Sequence, residues 1–223
     1  MRLKAVVFDL DGTLVDSTID YEKMSGLIKE VLLAVGVDGE LLTDRRRVYA
    51  VIRGGEAAIA EFGIEPSRAR EANAKINAIM NMVELEGAHL AKPMRHSAET
   101  LSELKGRGLS IGVATRGCRE YAVESMRLTR LTPLVEVCLA RDDVVYPKPD
   151  PRHLLDVLTY LDASPGEAFY VGDTSTDLET ANAAKVMFVG YRRSEEWGKR
   201  LEEAGCKRMV DDLLDLLGFA DGF

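Results

Sequence analysis

The chain is short of the residues that build metal knuckles, disulfide frameworks and nucleic-acid surfaces. Its 223 residues hold three cysteines, Cys118, Cys138 and Cys206. They are odd in number, widely spaced and without a CxxC pair, which excludes a zinc ribbon or a disulfide scaffold and leaves reduced thiols. The three histidines, His89, His96 and His153, lack metal-ligand spacing, and the single tryptophan, Trp197, reads as a packing residue. No stretch approaches the ~18 apolar residues of a membrane span, and the apolar run at the start meets Asp9 too early for a signal peptide. The expected location is cytoplasmic, with no membrane partner. Positive charge is also in deficit: 29 Lys+Arg against 37 Asp+Glu give a net charge of -8. That balance argues against nucleic acid, so any anionic ligand must be met by local groups.

What is present describes a globular protein, 46% hydrophobic and 30% charged. The length accommodates one domain with a large insertion or two small domains. Near the start, AVVFDLDGTL places β-branched and aromatic residues, Val6, Val7 and Phe8, before two carboxylates and a glycine. This is the signature of a strand buried on both faces, hence of a parallel sheet, and ligands of such sheets bind outside the carboxyl ends of the strands. Asp9 and Asp11 fall at that end. Two carboxylates so close require a cation or a shared proton. Gly12 lets the backbone turn without a Cβ, so amides near the strand end can face an anion. The ordinary alternative is an acidic turn, for which Asp-Gly is a common dipeptide.

From Asp16 the apolar period becomes helical. Met24, Leu27, Ile28, Val31, Leu32 and Val35 predict one helix, stopped by Gly36; a second spans Val48 to Phe62, interrupted at Gly54 and Gly55. A third opens at Pro66 and Ser67, with Ala72, Ile76, Ile79, Met80 and Val83 on its apolar face. No strand signal occurs before about Leu90, so residues 16–90 are expected as an all-helical insertion, and residues 1–15 with 91–223 as an α/β domain. In the latter, strands are predicted at Leu109–Ala114, Val135–Leu139, Ala168–Gly172 and Val186–Val189. Helices are predicted near Ala98–Arg107, Glu120–Leu128, around Leu154 to Leu161, Glu195–Ala204 and Asp211–Leu217. Asp142 to Pro151, with three of the seven prolines, is expected to be a rigid loop. The alternation predicts a three-layer parallel, Rossmann-like sheet with right-handed crossovers.

Chemically loaded residues follow four of these strand positions: Asp9 with Asp11, Thr115, Lys148 in PKPDP, and Asp173 with Asp177 in GDTSTD. Singly they have ordinary explanations, a turn threonine, a solvated lysine, a helix-start aspartate. As an ordered set the chain resembles the haloacid dehalogenase superfamily of phosphohydrolases, in particular its phosphoglycolate phosphatase and β-phosphoglucomutase branch. The motifs cover the core, and the helical insertion matches the family's small cap in position and character.

The resemblance implies an Mg²⁺-dependent phosphatase acting on a small phosphorylated metabolite, as a monomer or small homo-oligomer. It makes Asp9 the nucleophile that becomes an aspartyl-phosphate and Asp11 the acid and base. It assigns the metal to the Asp9 carboxylate, the Asp11 backbone carbonyl and the Asp173 carboxylate. Leu10, Gly12, Thr115 and Lys148 become phosphate contacts, and Asp177 a group that orients the metal surroundings or Lys148. Arg116 departs from that branch, which commonly carries asparagine there; it points to solvent with its backbone N–H on phosphate, or binds a second anionic group. The run Arg45, Arg46, Arg47 reads as a solvated helix face. Arg53, beside two glycines, is a candidate ligand contact. Two other readings stay open: a phosphosugar mutase of the same fold, and a non-catalytic phosphate-binding regulatory protein.

Overall fold

The computed structural model describes residues 2–222, apart from the side chains of residues 45–47, 53 and 54. It divides into two compact units, Ile19–Gly87 and the remainder, Met1–Thr18 with Ala88–Phe223.

The smaller unit is built from helices α1 (Tyr21–Ala34), α2 (Arg45–Ala60) and α3 (Pro66–Ala88). Asp20 caps α1 by accepting from the Lys23 N–H at 2.8 Å. At its far end Gly36 N–H reaches Leu33 O at 3.0 Å and Val37 N–H reaches Leu32 O at 3.0 Å, the paired bonds that close a helix on a glycine. The chain kinks within α2 at Gly55, where φ is 53°. Met24, Ile28, Leu32, Val48, Val51, Ile59, Ala72, Ile76, Met80 and Val83 form one buried apolar cluster. At roughly 1.5 to 3 kcal/mol for each large side chain, that cluster is what holds three otherwise marginal helices together.

The larger unit is a six-stranded parallel sheet. Its strands are β1 (Ala5–Phe8), β2 (Ser110–Ala114), β3 (Val137–Leu139), β4 (Ala168–Gly172), β5 (Met187–Tyr191) and β6 (Met209–Val210), in spatial order β3-β2-β1-β4-β5-β6. The helices are α4 (Ser97–Gly106), α5 (Arg119–Leu128), α6 (Pro151–Tyr160), α7 (Ser175–Ala184), α8 (Glu195–Glu203) and α9 (Leu216–Asp221). All four β1 residues are buried, as a strand covered on both faces requires. Ala5 and Val7 join Leu154, Val157, Leu158, Leu178 and Ala181 of α6 and α7 in one cluster. Val6 and Phe8 project to the opposite face, by the two-residue period of a strand.

Four features differ from the sequence expectation. Strand β6, only two residues long, was not anticipated, and α7 was signalled only by Asp177 as a helix-start aspartate, its threonine- and alanine-rich segment having little apolar periodicity. The segment expected as a helix over Asp211–Leu217 is instead a 3-10 turn at Leu213–Asp215 running into α9. Two residues, Val15–Asp16, also pair antiparallel with Lys92–Pro93. Among the described residues no helix is long and apolar enough to cross a membrane.

Candidate active site

The strand order reverses at β1, whose neighbours are β2 and β4, and such a switch point opens a crevice at the carboxyl ends. Phe8 is level with Val113 on one side and Val171 on the other. Asp9, Thr115 and Asp173 therefore leave the sheet within about one residue of each other. All belong to the larger unit.

Lys148 is the hub. Its Nζ donates to Asp9 Oδ1 at 2.6 Å, to Asp177 Oδ1 at 2.7 Å and to the Tyr170 hydroxyl at 2.8 Å. The lysine is only 2% exposed. Burial alone would strip its proton, but Asp177 and Asp9 outweigh it and hold the ammonium pKa above the usual lysine value. The loop is fixed from behind by His153, whose Nδ1 accepts from the Lys148 N–H at 3.1 Å while Nε2 lies 3.0 Å from Leu139 O.

Asp177 is fully engaged. Oδ1 takes Lys148 and the Tyr170 O–H, the latter at 2.7 Å; Oδ2 takes the Thr174 N–H at 3.1 Å and its hydroxyl at 2.5 Å. Burial works against its charge, yet Lys148 and these donors keep its pKa below the ordinary range. Thr174 and Asp177 also cap α7 reciprocally. Asp9 and Asp173 are less well compensated. Burial and neighbouring carboxylates push Asp9 well above the usual value against the pull of Lys148. Burial and Asp177 push Asp173 to about 7, although Arg193 Nε lies 2.9 Å from its Oδ2.

This shortage of positive charge is the test of whether a metal fits. Carboxylate oxygens of Asp9, Asp173 and Asp177 lie within 4.8 Å of one another. Asp177 has spent its oxygens on hydrogen bonds, whereas Asp9 and Asp173 retain acceptor capacity and excess negative charge. Buried all-oxygen carboxylates in that state suit a hard divalent cation. An added Cβ at Gly12, where φ is 82°, would clash with Asp173 Oδ2, so glycine at this turn admits the carboxylate.

Asp11 sits beyond the end of β1. Tyr121 donates its hydroxyl to Oδ1, and Thr115 Oγ1 lies 3.3 Å from Oδ2. Thr115 Oγ1 in turn accepts from the Gly117 N–H at 3.0 Å. Burial and the Asp11 charge raise the Tyr121 pKa far above that of a free phenol, so it stays a donor. Leu10 is buried, and its carbonyl accepts from Leu14 and Val15 at 2.9 Å. The Gly12 N–H is committed to Val15 O at 2.8 Å, a turn bond rather than an outward donor. Arg116 is partly buried, and its carbonyl receives Arg141 Nη1 at 2.7 Å. The side chains of Arg53 and of Arg45, Arg46 and Arg47 lie outside the described residues.

Four participants escaped the sequence reading: Tyr121, Tyr170, His153 and Arg193. Arg193 carried a usable signal, since it lies just past the end of β5 at the same sheet edge, and it stacks on Trp197 with Cζ 4.0 Å from the ring centroid. His153 lies five residues after Lys148, at helical distance from a loop already marked. Tyr170 sits inside a strand and Tyr121 inside a helix, where an aromatic residue is ordinarily core.

A doubly wound α/β fold with buried carboxylates and a buried lysine at its switch point has the layout of an α/β enzyme's active site. The particular family is settled by comparison: the chain belongs to the haloacid dehalogenase-like hydrolases, whose family model matches residues 6–191. It is 29% identical over 223 residues to the N-acetylmuramic acid 6-phosphate phosphatase of Pseudomonas aeruginosa, covering 96% of each chain. It is 27% identical to the phosphoglycolate phosphatase of Yersinia pestis, covering 96% of this chain and 92% of that one. Among solved structures, a hydrolase from Pseudomonas syringae superposes with a TM-score of 0.68 at 26% identity, covering 99% of both chains.

Proposed function

We propose that the protein is an Mg²⁺-dependent phosphatase that hydrolyses a small organic phosphomonoester through an aspartyl-phosphate on Asp9. The observation that carries this reading is the arrangement around Lys148, which binds Asp9 and Asp177 at once while Asp173 lies beside them. The likeness to phosphatases of N-acetylmuramic acid 6-phosphate and phosphoglycolate supports it.

In this reading an oxygen of Asp9 attacks phosphorus as the bond from phosphorus to the ester oxygen breaks, and Asp11 gives its proton to that departing oxygen. Asp11, now a carboxylate, takes a proton from water as water attacks the phosphoenzyme and Asp9 departs. A phosphate monoester is dianionic, so an anionic nucleophile needs charge compensation. Lys148 supplies part of it on the phosphate, and the Thr115 hydroxyl, directed at Asp11 Oδ2 at 3.3 Å without substrate, turns its proton to the phosphate when the ester binds. Bound at Asp9, Asp173 and the Asp11 backbone carbonyl, Mg²⁺ would neutralise phosphate charge and fix the approach of the nucleophile. Asp177 keeps Lys148 charged and aimed. Leu10 and Gly12 form the turn beneath the phosphate, and Arg116 with Arg53 is assigned to the substrate's leaving group.

We assign residues 1–15 and 91–223 as the catalytic core and residues 16–90 as the cap domain that reads the leaving group. The protein acts in the cytoplasm on a free metabolite, without nucleic acid or membrane, as a monomer or small homo-oligomer.

The test is phosphate release from a panel containing N-acetylmuramic acid 6-phosphate, phosphoglycolate, pyrophosphate and sugar phosphates, with and without chelator. Release that stops in chelator and returns with Mg²⁺ is expected. Full activity in excess chelator overturns the metal assignment. Isomerisation of a sugar phosphate without phosphate release would identify a mutase.

A further inference from the structure

Tyr121 is fully buried in the first turn of α5, and its hydroxyl donates to a chemically loaded group, Oδ1 of Asp11, with the Ser125 and Ser17 side chains also within its hydrogen-bonding reach. The other oxygen, Oδ2, faces the Thr115 hydroxyl at 3.3 Å. The carboxyl is therefore held closely on Oδ1, by α5, and only at a long distance on Oδ2, by the Thr115 hydroxyl at the end of β2. The segment between them is shaped for this. A Cβ on Gly117 would come within 2.6 Å of Tyr121 Cδ1, so the absence of a side chain there makes room for the ring.

We infer that Tyr121 is a positioning residue for the acid and base of the reaction, pinning Oδ1 of Asp11 so that Oδ2, on the Thr115 side, is the oxygen that passes the proton. The inference rests on the proposed role of Asp11. A general acid works only within hydrogen-bond reach of the leaving oxygen, and a misplacement of about 1 Å can cost about 100-fold. An aspartate in a turn, immediately before its glycine, has two rotatable side-chain torsions. The Tyr121 hydroxyl restrains them from the α5 side. In this reading it acts on the leaving group only through Asp11, while its contacts with Ser125 and Ser17 bear on packing alike for every substrate.

The experiment is Tyr121→Phe, which keeps the ring and deletes the oxygen, assayed on a simple alkyl phosphate and on dinitrophenyl phosphate. Because kcat/KM reports only the steps through formation of the phosphoenzyme, it senses the acid and not the later base. A poor alkyl leaving group needs the proton; dinitrophenolate leaves without it. Loss of about 10-fold or more in kcat/KM is expected for the alkyl ester and less than about 3-fold for the aryl ester, against the ~10²- to 10⁴-fold supplied by acid–base catalysis. Combined with Asp11→Asn, Tyr121→Phe should cost nothing more, since two residues acting as one unit are not additive. Equal losses on both esters, additive losses in the double variant, or a gain in rate would overturn the inference. If Asp11→Asn itself shows no leaving-group dependence, the acid role falls and takes the inference with it. If it does and Tyr121→Phe does not, only the inference falls. Should the Phe variant fail to fold, Gly117→Ala, which crowds the ring and keeps the hydroxyl, must show the same dependence on leaving group or the inference fails.

Discussion

The two units bury different things. In the helical unit the described core is Met24, Ile28, Leu32, Ile59, Ile76, Met80 and their neighbours, and the one polar side chain buried among its described residues is Glu84. The α/β unit buries Asp9, Lys148, His153, Asp173 and Asp177 within one strand edge. Apolar burial is non-directional and forgiving of shape, whereas a buried charge costs several kcal/mol unless its partner is in place. The first unit can therefore vary in sequence while keeping its fold. The second carries its chemistry at a cost in stability that only the complete set of partners offsets.

Four substitutions or conditions test that contrast, in descending order of effect. Asp9→Asn should lower turnover by at least about 10⁴-fold while the circular dichroism spectrum is retained, because the proposed nucleophile is lost and its shape kept. Substantial residual phosphate release by the pure variant would remove Asp9 from the mechanism. Lys148→Met should cost about 3 to 5 kcal/mol in urea unfolding, since it leaves Asp9 and Asp177 buried without their common partner. A loss no greater than that of an ordinary core truncation would mean the carboxylates simply take up protons.

The third concerns pH. Burial, aided by the Lys148 charge, lowers the His153 pKa from 6.5 to about 4, so the folded protein keeps it neutral. Between these values the unfolded chain binds the extra proton. Stability is thus fully present above pH 6.5 and lost as pH falls toward 4, by about 3 kcal/mol in all. His153→Gln should flatten that part of the stability profile, and an unchanged slope would refute the assignment. The smallest effect belongs to the helical unit: Ile76→Val, the loss of one methylene, should cost about 1 kcal/mol with phosphate release unaltered. A large catalytic effect would break the division of labour between the units.

Local chemistry explains what the sequence could reveal. Asp9, Thr115 and Asp173 were legible because each ends a short apolar run, and a strand end is a position that periodicity locates. Lys148 was legible through its prolines. The lysine's partners were not, because Asp9 is 139 positions away in the chain and Tyr170 looks like any strand aromatic until the fold brings its hydroxyl to 2.8 Å. Tyr121 was hidden for the same reason, as an aromatic on the buried face of a helix. Gly12 reads in the sequence as a turn that lets amides near the strand end face an anion; the turn is there, and its own N–H is the one amide it commits to Val15 O.

The stacking of Arg193 on Trp197 makes the molecule its own indicator. Trp197 is the single tryptophan, with Arg193 Cζ 4.0 Å and Arg200 Cζ 4.8 Å from its ring centroid. Arg193 is simultaneously the cation paired with Asp173. A divalent ion bound as proposed at Asp173 would compete with it for the same carboxylate, and a guanidinium released from that carboxylate would change the electric field at the indole. Tryptophan emission should therefore titrate with Mg²⁺ in the absence of any substrate, and the response should vanish in Arg193→Met. Loading of the cation centre could then be followed optically in the unlabelled protein, independently of turnover.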